Sequence, residues 1–270
     1  MEFLKKDFLD ISRNVELALR KIELYSFESI DSTQSEARRH AENGKTAPAL
    51  FVADTQTAGR GRLGRSFYSP SETGIYMTLL LDVTNDPPAG VCRLTSGAAV
   101  AVALAAEDVT GASCKIKWVN DIYVNDRKAC GILAQSFFAH EKRYVAIGVG
   151  VNLCTSDFPD EISGVACSLT DSTGRGKRAE LAVAIACRLF DVYSALCQGD
   201  VSYMNEYRGR SAVLGKHVTF TQNGITVEGT AVAVNDDGGL CVKLADGNTV
   251  TLNSGEITLR IKENGGFFDE

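Results

Sequence analysis

The residues best suited to chemistry lie in one loop, residues 53–70, with the sequence ADTQTAGRGRLGRSFYSP. Glycine allows positive φ angles and lets the backbone lie close to a ligand. Arginine offers a rigid fork of donors that matches a carboxylate or a phosphate. Glycines alternate with arginines in this loop: Gly59, Arg60, Gly61, Arg62, Gly64 and Arg65. Ordering such a loop costs conformational entropy, and contacts with a bound ligand can offset that cost. The pattern therefore predicts a loop that closes over a small anion.

The same glycines match the dinucleotide-binding pattern G-x-G-x-x-G, but their surroundings do not fit that motif. The motif needs a strand directly before the glycines and a helix directly after them. Polar or small residues at 54–58 separate the loop from the apolar run 50–53, and residues 66–70 (SFYSP) cannot begin an amphipathic helix. Because no G-K-S/T sequence follows, the pattern also argues against a P-loop.

A second segment with chemical potential is KIKWVNDIYV, residues 115–124. Its alternating apolar residues predict an extended segment, interrupted by a turn at Asn120 and Asp121. Trp118 is the only tryptophan of the chain, and we expect it to pack in the core. Lys115 and Lys117 lie on the opposite face of the strand, so one of them could reach into a site.

Hydroxyl groups cluster where a predicted strand, residues 24–30, runs into a predicted helix. The sequence DSTQSEA at 31–37 contains a capping box from Thr33 to Glu36, with Ser32 and Ser35 as a weaker alternative. A helix N-terminus also exposes free N–H groups. The segment therefore predicts a helix start that doubles as a set of polar contacts for a ligand.

Composition excludes several classes of function. The formal net charge of -6 argues against broad nucleic-acid binding. No apolar run is long enough to span a membrane, and the N-terminus does not resemble a signal peptide. Eight cysteines are scattered without a C-x-x-C pair, which fits free thiols in a reducing cytoplasm and no zinc site. No motif contains a histidine, so we expect no catalytic role for His40, His140 or His217.

The remaining elements predict an α+β fold with a mixed, largely antiparallel sheet and helices packed on one face of it. Residues 122–124 and 129–138 predict a hairpin, because the turn signal Asn125-Asp126-Arg127 lies between them. Glycines inside the next strands indicate a close approach of a ligand or of another backbone: Gly131, Gly148 and Gly150. The other predicted strands are 49–53, 74–83 and 143–152, and the predicted helices are 91–109, 176–198 and 200–208.

The composition becomes β-rich near residue 211. Short alternating runs between 213 and 261 are separated by N-G at 223–224 and D-G at 246–247, which predict hairpins in a small SH3-like barrel. We therefore expect an N-terminal helical extension at 1–22, a catalytic domain at 23–211, the barrel at 212–262 and a flexible tail at 263–270.

Four motifs give the chain a family resemblance. GRGRLGR followed by an aromatic residue, KWVND, RKACGILAQ and IGVGVN occur in an order and at a spacing that resemble the biotin protein ligases. The resemblance covers about residues 25–260, and residues 255–257 (GEI) resemble the closing motif of the C-terminal domain. It implies a catalytic domain similar to class II synthetases, followed by an SH3-like barrel.

The resemblance also implies roles for individual residues. Lys117 and Arg62 would be catalytic and would hold the biotin carboxylate and the α-phosphate. The implied biotin-binding residues are Ser32, Thr33, Gln34, Gln56, Gly59, Arg60, Gly61, Arg62, Lys117, Gly131, Gly148 and Asn152. The implied ATP-binding residues are Arg62, Arg65, Phe67, Lys117, Asn120 and Asn152. Gln34 stands where the family commonly has asparagine, and Phe67 where it usually has tryptophan.

The implied activity is ligation through biotinyl-5′-AMP, with ATP and Mg²⁺, onto a lysine of a biotin carboxyl carrier domain. Two alternatives stay open at this point. A lipoate or octanoate ligase would carry the loop R-R-x-S-G-G-G-A, which is missing, and a biotin-sensing regulator would need a DNA-binding domain, for which 22 N-terminal residues are too few. Asp121 could serve as the base or as a turn carboxylate. An exposed sheet could pair two subunits into a homodimer.

Overall fold

The computed structural model describes residues 14–86, 90–222, 225–253 and 260–261. Its helices are α1 Val15–Leu19, α2 Thr33–Glu42, α3 Val91–Thr110, α4 Asp160–Ser163, α5 Arg178–Cys197 and α6 Tyr203–Gly209. Its strands are β1 Glu23–Ile30, β2 Ala49–Gln56, β3 Gly74–Asp82, β4 Lys115–Lys117, β5 Asp121–Val124, β6 Arg127–Ala139, β7 Lys142–Asn152, β8 His217–Gln222, β9 Ile225–Val234, β10 Leu240–Leu244, β11 Thr249–Leu252 and β12 Arg260–Ile261. The first half of the predicted N-terminal helix lies outside the described residues.

The main sheet has seven strands in the order β1-β2-β3-β7-β6-β5-β4. The β1–β2 pair is parallel and every other pair is antiparallel, so the predicted mixed, largely antiparallel sheet is confirmed. The predicted hairpin between β5 and β6 is confirmed as well, and Asn125 and Asp126 at its turn have φ angles of 50° and 59°. Almost all of β3 is buried, as expected of a strand inside the sheet.

Helices cover both faces of this sheet, so the expectation of helices on one face was wrong. Leu79 packs in the core that contains α3 and α5, whereas the next residue, Leu80, packs with Ala37 and Ala41 of α2. Consecutive residues of a strand point to opposite faces, so α2 lies opposite α3 and α5. The predicted end of α3 is confirmed, because Gly111 caps it in the left-handed conformation with a φ of 76°.

The C-terminal strands form a separate antiparallel sheet in the order β11-β10-β9-β8-β12. The predicted β-rich C-terminal unit is thereby confirmed. The D-G turn at 246–247 connects β10 and β11, whereas the N-G turn at 223–224 and the GEI motif at 255–257 lie outside the described residues. The exact boundary at 211–212 stays a prediction.

The turn between β9 and β10 packs against the first domain. Trp118 Nε1 donates to the Gly238 carbonyl at 2.8 Å, and Arg208 Nε donates to the Val234 carbonyl at 2.7 Å. Arg93 pairs with Asp237 at 2.5 Å on the same turn. The first of these contacts joins the C-terminal sheet to the segment that carries Lys117, and the other two join it to α6 and α3. No helix among the described residues is long and apolar enough to cross a bilayer.

Candidate active site

A pocket opens on the α2 side of the main sheet, between the start of α2, the glycine–arginine loop and strands β3 to β7. The residues that line it are Ser32, Thr33, Gln34, Gln56, Arg60, Gly61, Arg62, Leu63, Arg65, Ser66, Phe67, Met77, Thr78, Lys117, Trp118, Asn120, Asp121, Lys128, Gly131, Ile132, Leu133, Gly148, Val149 and Gly150. The fold thus brings together most of the residues that the sequence singled out, from five separate segments of the chain.

One end of the pocket presents neutral polar groups. Gln56 Oε1 accepts from the backbone N–H of Thr33 at 2.9 Å and from its hydroxyl at 3.2 Å. Thr78, which is fully buried on β3, donates to Thr33 Oγ1 at 2.9 Å. Ser32 Oγ is buried and has no partner among the described residues. This end is therefore built to hydrogen-bond an uncharged polar group.

The predicted capping box is corrected by the structure. Ser32, not Thr33, is the N-cap residue of α2, and its side chain makes no capping hydrogen bond. Thr33 is instead the first helical residue, and its hydroxyl is taken up by Gln56 across the pocket. The hydroxyls of Ser32 and Thr33 therefore line the pocket and do not cap the helix. The reason for Thr33 is that its hydroxyl bonds Gln56 of β2 and Thr78 of β3, which the capping pattern of the sequence does not show.

The other end of the pocket is cationic. Arg62 donates to Asn120 Oδ1 at 2.8 Å, which joins the loop to the turn between β4 and β5. Lys117 is half-buried, donates to the Tyr123 hydroxyl at 3.0 Å, and lies 5.1 Å from the centre of that ring. Lys115 is exposed on the same strand and does not line the pocket, so Lys117 is the lysine of this pair that faces the site.

Lys128 is a further cation of the pocket that sequence reasoning missed. Its Nζ pairs with Asp121 Oδ2 at 2.9 Å, and Asn120 Nδ2 donates to the other carboxylate oxygen at 3.0 Å. A Cβ placed on Gly131 would lie 3.6 Å from the Lys128 Nζ, so the ammonium group lies above Gly131 on the pocket side of the sheet. Asp121 directly precedes the first strand of the predicted hairpin and Lys128 directly precedes the second, and these opposite charges were the signal that could have identified it.

The glycine–arginine loop folds as a short irregular hairpin. Phe67 N donates to the Gly59 carbonyl at 2.9 Å, and Gly61 N donates to the Arg65 carbonyl at 2.7 Å. A short 3-10 turn, Arg62–Gly64, forms the tip, where Leu63 has a φ of 55° and a 66% exposed side chain. The next element after the loop is strand β3 and not a helix, which does not fit a dinucleotide fingerprint.

Phe67 lies on a floor of small residues. A Cβ placed on Gly150 would lie 2.6 Å from the Phe67 ring, and one on Gly131 would lie 3.4 Å from it. The glycines of β6 and β7 therefore leave room for an aromatic side chain of the loop. This agrees with the predicted close approach at these strand glycines, although the neighbour is a side chain and not a backbone or a ligand.

Two of the predicted site residues do not line the pocket. Gly59 is buried inside the loop, where a Cβ would lie 2.5 Å from the Phe67 carbonyl oxygen. Asn152 is buried at the end of β7, and its Nδ2 donates to the Cys167 carbonyl at 3.3 Å. Both residues contact nearby backbone carbonyls and not the pocket. A direct contact of either residue with a ligand therefore stays a prediction, and the pocket geometry does not support it.

A buried ion pair holds the base of the loop. Arg178, the first residue of α5, pairs with Asp54 of β2 at 2.7 Å and donates to the Gly74 carbonyl at 2.9 Å. Asp54 also accepts from the backbone N–H of Glu72 at 3.0 Å and from the Ser71 hydroxyl. The strand that enters the loop is thereby fastened to the strand that leaves it.

The histidines and thiols lie apart from this chemistry. None of the three histidines lines the pocket; His40 and His140 bond the carbonyls of Thr46 and Glu42. Burial raises the pKa of the Cys114 thiol to about 12, so that thiol stays protonated at neutral pH. Among the described residues there is no group of three or more side chains that could ligate a metal ion.

Comparison with known proteins identifies the family. The model described as "Biotin/lipoate A/B protein ligase family" matches residues 26–152, and "Biotin protein ligase C terminal domain" matches residues 213–260. The bifunctional ligase/repressor BirA of Bacillus spizizenii is 41% identical over 148 residues, or 54% of this chain. The match covers 45% of that relative, so the aligned part spans about half of its length.

Two other proteins match over most of their length. The biotin protein ligase of Aquifex aeolicus, solved in complex with biotin and ATP, superposes with a TM-score of 0.77 at 26% identity, covering 89% of this chain and 99% of that one. The biotin–acetyl-CoA-carboxylase ligase of Mycobacterium tuberculosis is 30% identical over 84% of this chain and 85% of its own length. With both domains matched in order and such a relative covered nearly from end to end, this chain belongs to the biotin protein ligase family.

Proposed function

We propose that this protein is an ATP-dependent biotin–protein ligase, which activates biotin as biotinyl-5′-AMP and transfers it to a lysine of a carrier domain. The observation that carries the proposal is the polarity of the pocket. Neutral hydroxyls and amides line one end, and arginines and lysines line the other. Biotin has a neutral ureido ring at one end and a carboxylate at the other, so the two polarities match.

The neutral end fits the ureido ring. Ser32 Oγ is buried without a partner and can bond the ring, while Gln56 holds Thr33 in place from β2. Leaving such a hydroxyl unpaired costs about 1–3 kcal/mol, which a ligand that bonds it would recover. This end has no cationic side chain that could pair with a carboxylate, so the carboxylate of a ligand is directed toward the cations at the other end.

The first half-reaction is limited by repulsion between anions. A biotin carboxylate oxygen forms a bond to the α-phosphorus of ATP, and the bond from that phosphorus to the pyrophosphate oxygen breaks. Arg62, Lys117 and Lys128 lie where this charge gathers, and cations in a partly buried site stabilise it more strongly than in water. The exposed Arg60 and Arg65 lie at the mouth of the pocket, where they would hold the outer phosphates.

Magnesium would reach this site with ATP. Of the described residues that line the pocket, Asp121 alone has a carboxylate, and Lys128 already pairs with it. Magnesium is commonly held by one or two carboxylates together with substrate phosphates, so the residues present fit an ion bound mainly by the nucleotide. When bound, the ion neutralises phosphate charge; the protein contributes its own cations around it.

The second half-reaction forms an amide. The deprotonated amine of the carrier lysine attacks the acyl carbon, and AMP leaves with the electron pair of the broken carbon–oxygen bond. Both oxygens of Asp121 already accept hydrogen bonds, from Asn120 and from Lys128. We therefore assign Asp121 to the positioning of these two residues rather than to proton removal.

The loop protects the intermediate from water. Its base is fastened by Asp54 and Arg178, whereas its tip residues Leu63 and Arg65 are exposed. A loop with a fixed base and an exposed tip, held over the site by the bond from Arg62 to Asn120, can cover the mixed anhydride and still release it to the carrier. None of the eight cysteines, all of which fall within the described residues, forms a disulfide, which supports a reducing compartment such as the cytoplasm.

Exchange of labelled pyrophosphate into ATP tests the proposal directly. The exchange should depend on biotin and Mg²⁺ and should not occur with lipoate or octanoate. Exchange that depends on octanoate or lipoate would instead identify one of the related acyl ligases. Biotin binding without any exchange would leave a biotin sensor and would refute the proposed catalysis.

A further inference from the structure

The side chain of Gln34 forms the end wall of the pocket and is held by three protein groups. Its Nε2 donates to Gln135 Oε1 at 3.1 Å and to the Ala146 carbonyl at 3.2 Å. Its Oε1 lies 3.2 Å from the Thr78 hydroxyl, whose single proton is shared between Gln34 Oε1 and Thr33 Oγ1. Both N–H groups of the amide are therefore engaged, and none is left for a ligand. Gln34 lines the pocket whereas Gln135 and Ala146 behind it do not.

Gly148 provides the space that this side chain occupies. A Cβ placed there would lie 2.5 Å from Gln34 Oε1, which is closer than such atoms approach in proteins. In the sheet, Gly148 lies between Thr78 of β3 and Leu133 of β6. Glycine weakens the interior of a strand, so its presence here is explained by the side chain that crosses above it.

Anchoring Gln34 also fixes the residues just before it. Gln34 is the second residue of α2 and follows Ser32 and Thr33 directly. Its bonds to β6 and β7 tie the first turn of the helix to the sheet, so the two hydroxyls are held at a set depth over the pocket. The buried Ser32 hydroxyl can then bond a ligand without any rearrangement of the helix.

We propose that Gln34 is a positioning residue that closes the ring-binding end of the pocket, and that Gly148 is the glycine that permits it. Gln34 does not bind the ligand through its amide; it sets how deep the ring enters and where Ser32 and Thr33 meet it. The proposal rests on the proposed function for the identity of the ligand. It replaces the direct contact between Gln34 and biotin that the family resemblance implied.

The Gln34→Met variant tests the positioning role, because it keeps the length of the side chain and removes its hydrogen bonds. Calorimetric titration without ATP should show biotin affinity lowered about ten-fold, the effect of roughly one or two lost hydrogen bonds. The KM for biotin should rise by a similar factor, while the KM for ATP and kcat stay within about two-fold. Ser136→Ala, a change at an exposed position of β6 next to Gln135, is the control.

A double-mutant cycle tests the coupling to Gly148. Gly148→Ala should lower biotin affinity about ten-fold in the natural chain but less than about two-fold in a Gln34→Ala background, because the clashing atom is then absent. An equal loss in both backgrounds would mean that the added methyl meets the ligand itself, and it would overturn the coupling.

The outcomes separate this proposal from the proposed function. If the natural chain binds biotin and Gln34→Met binds it equally well, the positioning role is wrong and the ligase assignment is untouched. If the natural chain does not bind biotin at all, the proposed function fails and the positioning role fails with it. The Tm of each variant is compared with that of Ser136→Ala, so that a loss of biotin affinity can be distinguished from unfolding of the variant.

Discussion

The ion pair between Asp54 and Arg178 should be the most sensitive single contact beneath the glycine–arginine loop. Asp54 is 1% exposed and Arg178 is 6% exposed, and the pair joins β2 to the start of α5. Arg178→Met leaves a buried carboxylate without its cation, which costs about 3–5 kcal/mol. For a chain of this size, each kcal/mol lowers Tm by about 2–4 °C, so we expect a fall of about 6–20 °C.

A neighbouring ion pair supplies the control for this variant. Arg175 pairs with Glu72 at 3.0 Å, but both side chains are largely exposed, so Arg175→Ala should cost about 0–1 kcal/mol. Adding Asp54→Asn to Arg178→Met removes the stranded charge and should recover part of the lost stability. The measurement is thermal and urea unfolding of all four proteins. If Arg178→Met unfolds no earlier than Arg175→Ala, the buried pair does not hold the base of the loop.

Three further predictions concern the site and its flank. Lys117→Ala should cut adenylate formation at least about ten-fold, as expected of a lost charge-assisted contact, and near-normal synthesis in a pyrophosphate-exchange assay would refute its role. Lys128→Gln should do the same, and it should also lower biotin affinity less than it lowers the rate, which single-turnover kinetics with a binding titration can show. Arg39 lowers the pKa of Asp31 to about 2 through their hydrogen bonds, so this pair stabilises the fold above the ordinary carboxyl pKa and loses that stability as pH falls toward 2. Both side chains are exposed, so their ion pair contributes only about 0–1 kcal/mol to the free energy of unfolding. Asp31→Asn should therefore reduce the difference between the Tm at pH 7 and the Tm at pH 2 only slightly.

The fold could be read largely from the sequence because its signals are local. Turn residues such as Asn125 and Asp126 fix a hairpin, Gly111 ends a helix, and the long apolar run of β3 requires a place inside a sheet. The error about the helices has a physical reason as well. Which face of a sheet a helix covers depends on tertiary packing, and the pattern of α2 alone does not distinguish the two faces.

The sequence predicted most of the cationic residues of the candidate site, but it did not predict which side chains pair with each other there. The arginines and Lys117 were recognisable from their types and spacing, because charge on a glycine-rich backbone is unusual. Lys128 was not, since its place depends on the β5–β6 register, which shifts at a bulge between Ile122 and Tyr123. Asn152 illustrates the opposite case, in which a plausible residue at a strand end turns to bond a neighbouring carbonyl.

The most direct test of the account is mass spectrometry of the small molecules and proteins after incubation with ATP, Mg²⁺ and biotin, first without and then with a carboxyl carrier domain. We expect biotinyl-5′-AMP in the first mixture, and a carrier biotinylated on one lysine with release of AMP in the second. Lipoate and octanoate in parallel mixtures should give no adenylate. Bound biotin with no adenylate in any mixture would contradict the roles of Arg62, Lys117 and Lys128 and the proposed function with them.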